Sequence, residues 1–342
     1  MNKSDLDTHI HMGCRTIDDS YKYNWQLQDM KNFKIPKNKT FLVFGGNTTN
    51  YAEAANGNAK IVETLLSPEN RKKSNIYSFI YDGEPICSVT KTLLPEYEEE
   101  MHQYFEKIIK PLLVDKFGNV KEKQGIEKAL KNLVFVSHCA GSLFVNVIIE
   151  DIYKTLLKKY HPSIADHLIN KLQFYSYAPY ELPSRDVNGF IISPFFDDDF
   201  GWEKILIAVS DQKISNDHPK CIMKKISKAT NQGNVFSTFN EIYDQERMVL
   251  FRSEQSIFAI PSRINPNTNI GDHSIDCIVK KSVLDSNSDF AETAKILNHA
   301  SRLVLNQFAS EETLDYRTLF TKMVSRISES PVCKPDNNLT DI

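Results

Sequence analysis

Nowhere in the chain does an apolar run last long enough to cross a bilayer, and the opening residues, MNKSDLDTHIHMG, hold no apolar signal-peptide core. The expectation is a soluble, cytoplasmic protein without a membrane span. A large charge of either sign is also missing: 41 Lys and Arg stand against 44 Asp and Glu, a net charge of −3. Without a basic field there is little to hold a phosphate backbone, so nucleic acid is not an expected partner. Cysteine is sparse and scattered. Cys14, Cys87, Cys139, Cys221, Cys277 and Cys333 form no short pair and no even rhythm, which argues against a disulfide frame or a zinc knuckle and fits a reducing compartment. Glycine is scarce while Lys, Asn and Ile abound, a bias that points to an AT-rich genome.

What is present is a chain of 342 residues, within reach of a single decorated α/β domain with a large core. Residues 1–38 are polar, are broken by Pro36 and show no sustained period, so they read as an N-terminal arm with at most short local structure. From residue 39 to about 310, apolar runs of strand length alternate with helix-like stripes. Strands are expected at Thr40–Phe44, Ile76–Tyr81, Leu133–Ser137, Leu172–Ala178 and Ile205–Ser210, with another beginning at Met248. Helical spacing marks roughly 50–67, 96–115, 123–132, 142–159 and 287–308. Such alternation predicts the α/β class, with a mostly parallel central sheet covered by helices on both faces. The stretches of about 179–203 and 217–247 break the rhythm and read as insertions above the sheet. Residues 311–342 form a polar C-terminal extension, expected to be partly disordered. That tail leaves room for a secretion signal of the kind carried by a bacterial effector delivered into a host cell without a cleaved leader.

The most informative segment runs from Leu133 to Val145, an apolar strand passing through Ser137-His138-Cys139-Ala140-Gly141 straight into an apolar-striped helix. A reactive residue on a strained strand-to-helix turn needs small neighbours two positions to either side, and Ser137 and Gly141 are small. A thiol at that place faces the free N–H groups of a helix N-terminus, which favour its thiolate form. The Ala140 N–H, following the sulfur, could hold an oxyanion, and a second donor is expected from Gly45-Gly46-Asn47, which ends the first core strand. Gly46 and Asn47 are the candidates there. An ordinary turn needing positive φ would explain the two glycines equally well.

This segment resembles the nucleophile elbow of the α/β-hydrolase superfamily, Gly-x-Ser-x-Gly, with Ser137 for the first Gly and Cys139 for the Ser. A cysteine elbow is similar to those of dienelactone hydrolases and polyhydroxyalkanoate synthases, which use a Cys-His-Asp triad. The resemblance implies an acid and then a histidine downstream of the nucleophile, no metal and no organic cofactor. His273, in Asn269-Ile-Gly-Asp-His-Ser274 ahead of the last helix, is the expected base. Asp211, just past Ile205–Ser210, is the first choice of acid, with Asp217 and Asp199 in reserve. The implied function is a thiol-dependent hydrolase or acyltransferase acting on esters or thioesters, small-molecule or acylated-protein, through an acyl-thioenzyme. A cysteine protease or amidase and a non-catalytic binding protein of the same fold are the alternatives. Oligomeric state is not legible. A rival reading takes Asp7-Thr-His-Ile-His11 as the Asp-x-His-x-His metal motif of amidohydrolases, but no apolar strand surrounds it; the better reading is a polar arm with two exposed histidines.

Overall fold

A computed structural model of the chain describes residues 10–17, 23–27, 33–46, 52–81, 83–87, 92–194, 215–216, 249–252, 255–260, 278–279, 281–285 and 289–310. Among them, one sheet has the strand order β2-β1-β4-β3-β5-β6-β7-β10-β9-β8. The strands are β1 (Ile10–Ile17), β2 (Tyr23–Leu27), β3 (Thr40–Phe44), β4 (Asn75–Tyr81), β5 (Leu133–His138), β6 (Gln173–Tyr177), β7 (Asn188–Pro194), β8 (Ser215–Asn216), β9 (Val249–Arg252) and β10 (Gln255–Ile260). The run β4-β3-β5-β6-β7-β10 is parallel throughout. Antiparallel strands flank it, β1 and β2 on one side and β9 and β8 on the other. The protein therefore belongs to the α/β class.

Alternation along each strand explains why helices cover both faces. Leu42, Phe44, Phe79, Leu133, Phe135 and Phe174 point to one side, Phe41, Val43, Ile76, Val134, Val136 and Tyr175 to the other. The first face packs against α3 (Pro95–Tyr104), α5 (Lys123–Lys131), α6 (Gly141–Leu156) and α7 (Pro162–Ile169). A π-helical turn, Phe105–Ile109, joins α3 to the short α4 (Lys110–Leu113). The second face packs against α1 (Ala52–Leu65) and the last helix, α9 (Asp289–Ala309), which contributes Leu297, Val304 and Phe308. Two further short helices among the described residues are α2 (Pro68–Lys73) and α8 (Lys281–Leu284). No helix among the described residues is long and apolar enough to cross a membrane.

Two segments differ from the sequence expectation. Within the stretch read as an arm, β1 and β2 extend the sheet. Ile10 and Met12 are buried in the core, the Ile10 N–H donates to the buried Glu100 carboxylate at 2.8 Å, and the Tyr104 hydroxyl donates to the Ile10 carbonyl at 2.5 Å. The strand is held by pairing with β2 and β4 and by these contacts to residues about 90 positions away, and partners so distant leave no periodic apolar signal. Within the stretch read as the first insertion, Asn188–Pro194 is instead an interior strand, paired in parallel with both β6 and β10. Its Phe190-Ile-Ile192 core is short and Pro194 ends it, so the surrounding prolines dominate the local pattern. The expected strand Ile205–Ser210 and the stretch 217–247 lie outside the described residues.

Phe135 lies at the centre of β5 with no solvent exposure and edge-on to Phe44 at 6.2 Å. Phe135→Ala should lower the free energy of unfolding by about 3–5 kcal/mol, measured by urea titration.

Candidate functional site

Chain order places the site. The chain leaves β3 for β4 on one side, whereas β5, on the other side of β3, leads on to β6 further away. Connections that diverge in this way leave a crevice beyond the carboxyl ends of the two strands, the usual ligand position in open α/β sheets. Phe44 and Ser137 are paired across β3 and β5, so Gly45-Gly46 and His138-Cys139 emerge side by side at that crevice.

Cys139 turns with φ at +51°, and Ala178, just past the end of β6, with φ at +46°. For a residue with a β-carbon this left-handed region costs roughly 1–2 kcal/mol, and it persists only where the surroundings enforce it. Here they do. The Cys139 N–H donates to the Tyr177 carbonyl at 3.2 Å, and the Cys139 carbonyl accepts from the N–H groups of Ser142 (3.2 Å) and Tyr180 (3.1 Å). The Ser142 hydroxyl donates to the same carbonyl at 3.0 Å, while its oxygen accepts from the N–H groups of Tyr180 and Glu181, each at 3.0 Å. Ser142 thus ties the first turn of α6 to the loop after β6. Sequence reading passed it over; its only trace was a hydroxyl three residues after the turn, a spacing suited to bonding back to the main chain.

Close packing fixes the rest. A β-carbon on Gly141 would sit 2.2 Å from the Phe44 carbonyl oxygen, so only glycine lets α6 start against the end of β3. A β-carbon on Gly46 would lie 3.0 Å from Cys139 Cβ and 3.5 Å from its Sγ. Gly46 does not have positive φ; its small size is used to bring main chain up to the sulfur, not to relieve a turn. Ser137 is fully buried, its hydroxyl 2.7 Å from that of Ser176 on β6. A hydroxymethyl group is tolerated there because a partner was built for it. His138 is half-buried, its ring 6.3 Å from that of Tyr177.

The first main-chain hydrogen bonds of α6 come from the N–H groups of Ser142 and Leu143, and among the described residues neither Ala140 N–H nor Gly46 N–H donates to a main-chain carbonyl outside the regular elements. Cys139 is 7% exposed and lies among Ile86, Leu143 and Tyr180, with Leu93 against them. Ile86 and Leu93 are bridged antiparallel, so residues 83–87 and 92–94 bring an apolar wall over the turn. Beneath it Tyr81, at the end of β4, is wholly buried. Burial and the neighbouring Cys139 push its hydroxyl well above the ordinary phenol range, so it keeps its proton.

Residues 137–141, Ser137, His138, Cys139, Ala140 and Gly141, form one turn, and Gly46 comes up against its Cys139. Asn47, Asp199, Asp211, Asp217 and His273 lie outside the described residues. The other histidines downstream of Cys139 among the described residues have other settings: His161 Nδ1 accepts from the Ser163 N–H at the start of α7, His167 faces Glu127 at 3.6 Å, and His299 is exposed on α9; His218 lies outside the described residues. In the rival metal motif, Asp7 and His9 are outside the described residues. His11 is half-buried on β1, opposite Ile80 on an antiparallel neighbour, rather than exposed on an arm.

Two substitutions test the turn. Cys139→Gly should unfold at higher urea than Cys139→Ala, by about 1 kcal/mol, because glycine alone occupies the left-handed region without strain. Gly141→Ala should destabilise by about 1–3 kcal/mol, the cost of overpacking, with a matching fall in the thermal midpoint. Comparison of the chain with protein-family models and with curated proteins finds no match.

Proposed function

We propose that the chain is an α/β-hydrolase-like enzyme in which Cys139 attacks the acyl carbon of an ester or thioester. The observation that carries this reading is the left-handed backbone at Cys139, a strain of about 1–2 kcal/mol held at a side chain with nucleophilic chemistry. A cysteine filling space in the core needs no such backbone; one presented at a strand-to-helix turn does.

The chemistry follows from the surroundings. The thiolate pair forms a C–S bond, the carbonyl π pair moves onto oxygen, and in this reading the Ala140 and Gly46 N–H groups receive that negative charge. Collapse expels the alcohol or thiol and leaves an acyl-thioenzyme. Water then completes a hydrolase cycle, and another nucleophile completes a transferase cycle. The apolar wall of Ile86, Leu93, Leu143 and Tyr180 suits a hydrocarbon acyl group over a charged one. His273 as base and Asp211 as its orienting acid remain the assignments proposed from the sequence.

Iodoacetamide labelling provides the test. Cys87 is half-exposed and Cys139 buried, so exposure alone would favour labelling at Cys87. At neutral pH the label should instead go first to Cys139, read by mass spectrometry of the peptides. Cys139→Ala should abolish acyl-enzyme formation with activated esters while the fold is retained by circular dichroism. Equal or slower labelling of Cys139, together with full activity of the alanine variant, would refute the proposal.

A further inference from the structure

We propose that the Tyr81 hydroxyl is a third donor to the oxyanion formed at Cys139, beside the Ala140 and Gly46 N–H groups. The inference rests on Cys139 being the acyl-accepting nucleophile and adds to it a side-chain group that the elbow motif does not contain.

The position of the ring is fixed. Tyr81 closes β4, whose neighbour β3 leads into Gly45-Gly46. Its ring lies flat on Phe144, in the first turn of α6, with centroids 4.2 Å apart and planes 4° apart. Phe144 is held edge-on by Tyr97 at 6.5 Å. The aromatic stack therefore sets the phenol against the same helix start that carries the thiol, and Tyr81 has no solvent exposure.

The hydroxyl has no hydrogen-bond partner. Its oxygen lies by the Gly45 N–H without reaching hydrogen-bond geometry, and it makes no hydrogen bond to Cys139 Sγ, although the thiol is near enough to help keep the phenol protonated. A buried hydroxyl left unpaired costs on the order of 1–3 kcal/mol, and phenylalanine would fill the same space and make the same stack without that cost. A protonated donor that lies near the reactive corner and is bonded to neither sulfur nor main chain is suited to an acceptor that arrives with the substrate. During attack, the carbonyl oxygen gains the π pair as the C–S bond forms. Tyr81 donates a hydrogen bond to that oxygen and keeps its proton, and collapse returns the pair as the leaving group departs.

Tyr81→Phe removes only the donor, and two reactions of the same sulfur separate the possibilities. Iodoacetamide reacts by displacement at a saturated carbon and develops no oxyanion there, whereas p-nitrophenyl acetate does. In the full-length protein, Tyr81→Phe should alkylate Cys139 at the wild-type rate yet form the acetyl-thioenzyme about 10²- to 10³-fold more slowly, the usual loss for one oxyanion donor. The rate is followed by p-nitrophenolate release and by the acetyl mass on the Cys139 peptide. Its thermal midpoint should be no lower than that of the wild type, because an unpaired hydroxyl is lost. Wild-type acylation with undiminished acylation of Tyr81→Phe would overturn the role of Tyr81 and leave Cys139 standing. Equal slowing of alkylation and acylation, or a clear drop in the thermal midpoint, would also overturn it, assigning the hydroxyl to the thiol or to the fold. A wild-type protein that is neither alkylated nor acylated at Cys139 would bring down the underlying reading instead.

Discussion

A side-chain-bearing residue held in the left-handed region at the end of a central strand is the constraint around which this site is organised. The Cys139 carbonyl is pinned by three donors and its N–H by one acceptor, so the turn cannot relax into the ordinary helical or extended regions without breaking several bonds at once. Each bond is worth only about 1 kcal/mol net, but together they exceed the cost of the strained φ. The result is a Cα–Cβ bond whose direction is set by the main chain.

That arrangement needs a rigid floor, and the sheet supplies it. Parallel strands buried on both faces by Phe41, Leu42, Val43, Phe44 and their counterparts on β5 leave little freedom to the carboxyl ends from which the site is built. The approach of α6 to β3 is closer than any side chain at residue 141 would permit. Gly46 uses its missing side chain differently, allowing the loop after β3 to reach the sulfur. Two glycines from a glycine-poor chain thus do separate work within a few ångströms: one sets the helix on the sheet and the other lets the main chain approach the thiol.

Polar groups around the turn divide into those already satisfied and those left open. Ser137 and Ser176 satisfy each other, and Ser142 has both an acceptor for its proton and donors for its oxygen. By contrast the Tyr81 hydroxyl lacks a partner. Where most of the buried hydroxyls near one atom are paired and one near the same atom is not, the unpaired one is the natural place to look for an interaction with something outside the chain.

Sequence alone determined the alternation of strands and helices, the small residues at 137 and 141, and the place of Cys139 between an apolar strand and an apolar helix, because burial on both faces of a parallel sheet writes itself into short periodic runs. It did not disclose β1, held through Glu100 and Tyr104, or β7, whose brief apolar core is masked by its prolines. The reason for Gly46 was equally hidden: a close approach to the sulfur and a turn with positive φ both call for glycine, and only packing tells them apart. The left-handed φ at Cys139, the threefold grip of its carbonyl and the juxtaposition of Tyr81 with the thiol were decided by tertiary structure, since each joins groups tens of residues apart whose meeting depends on strand order and on the distance between helix and sheet.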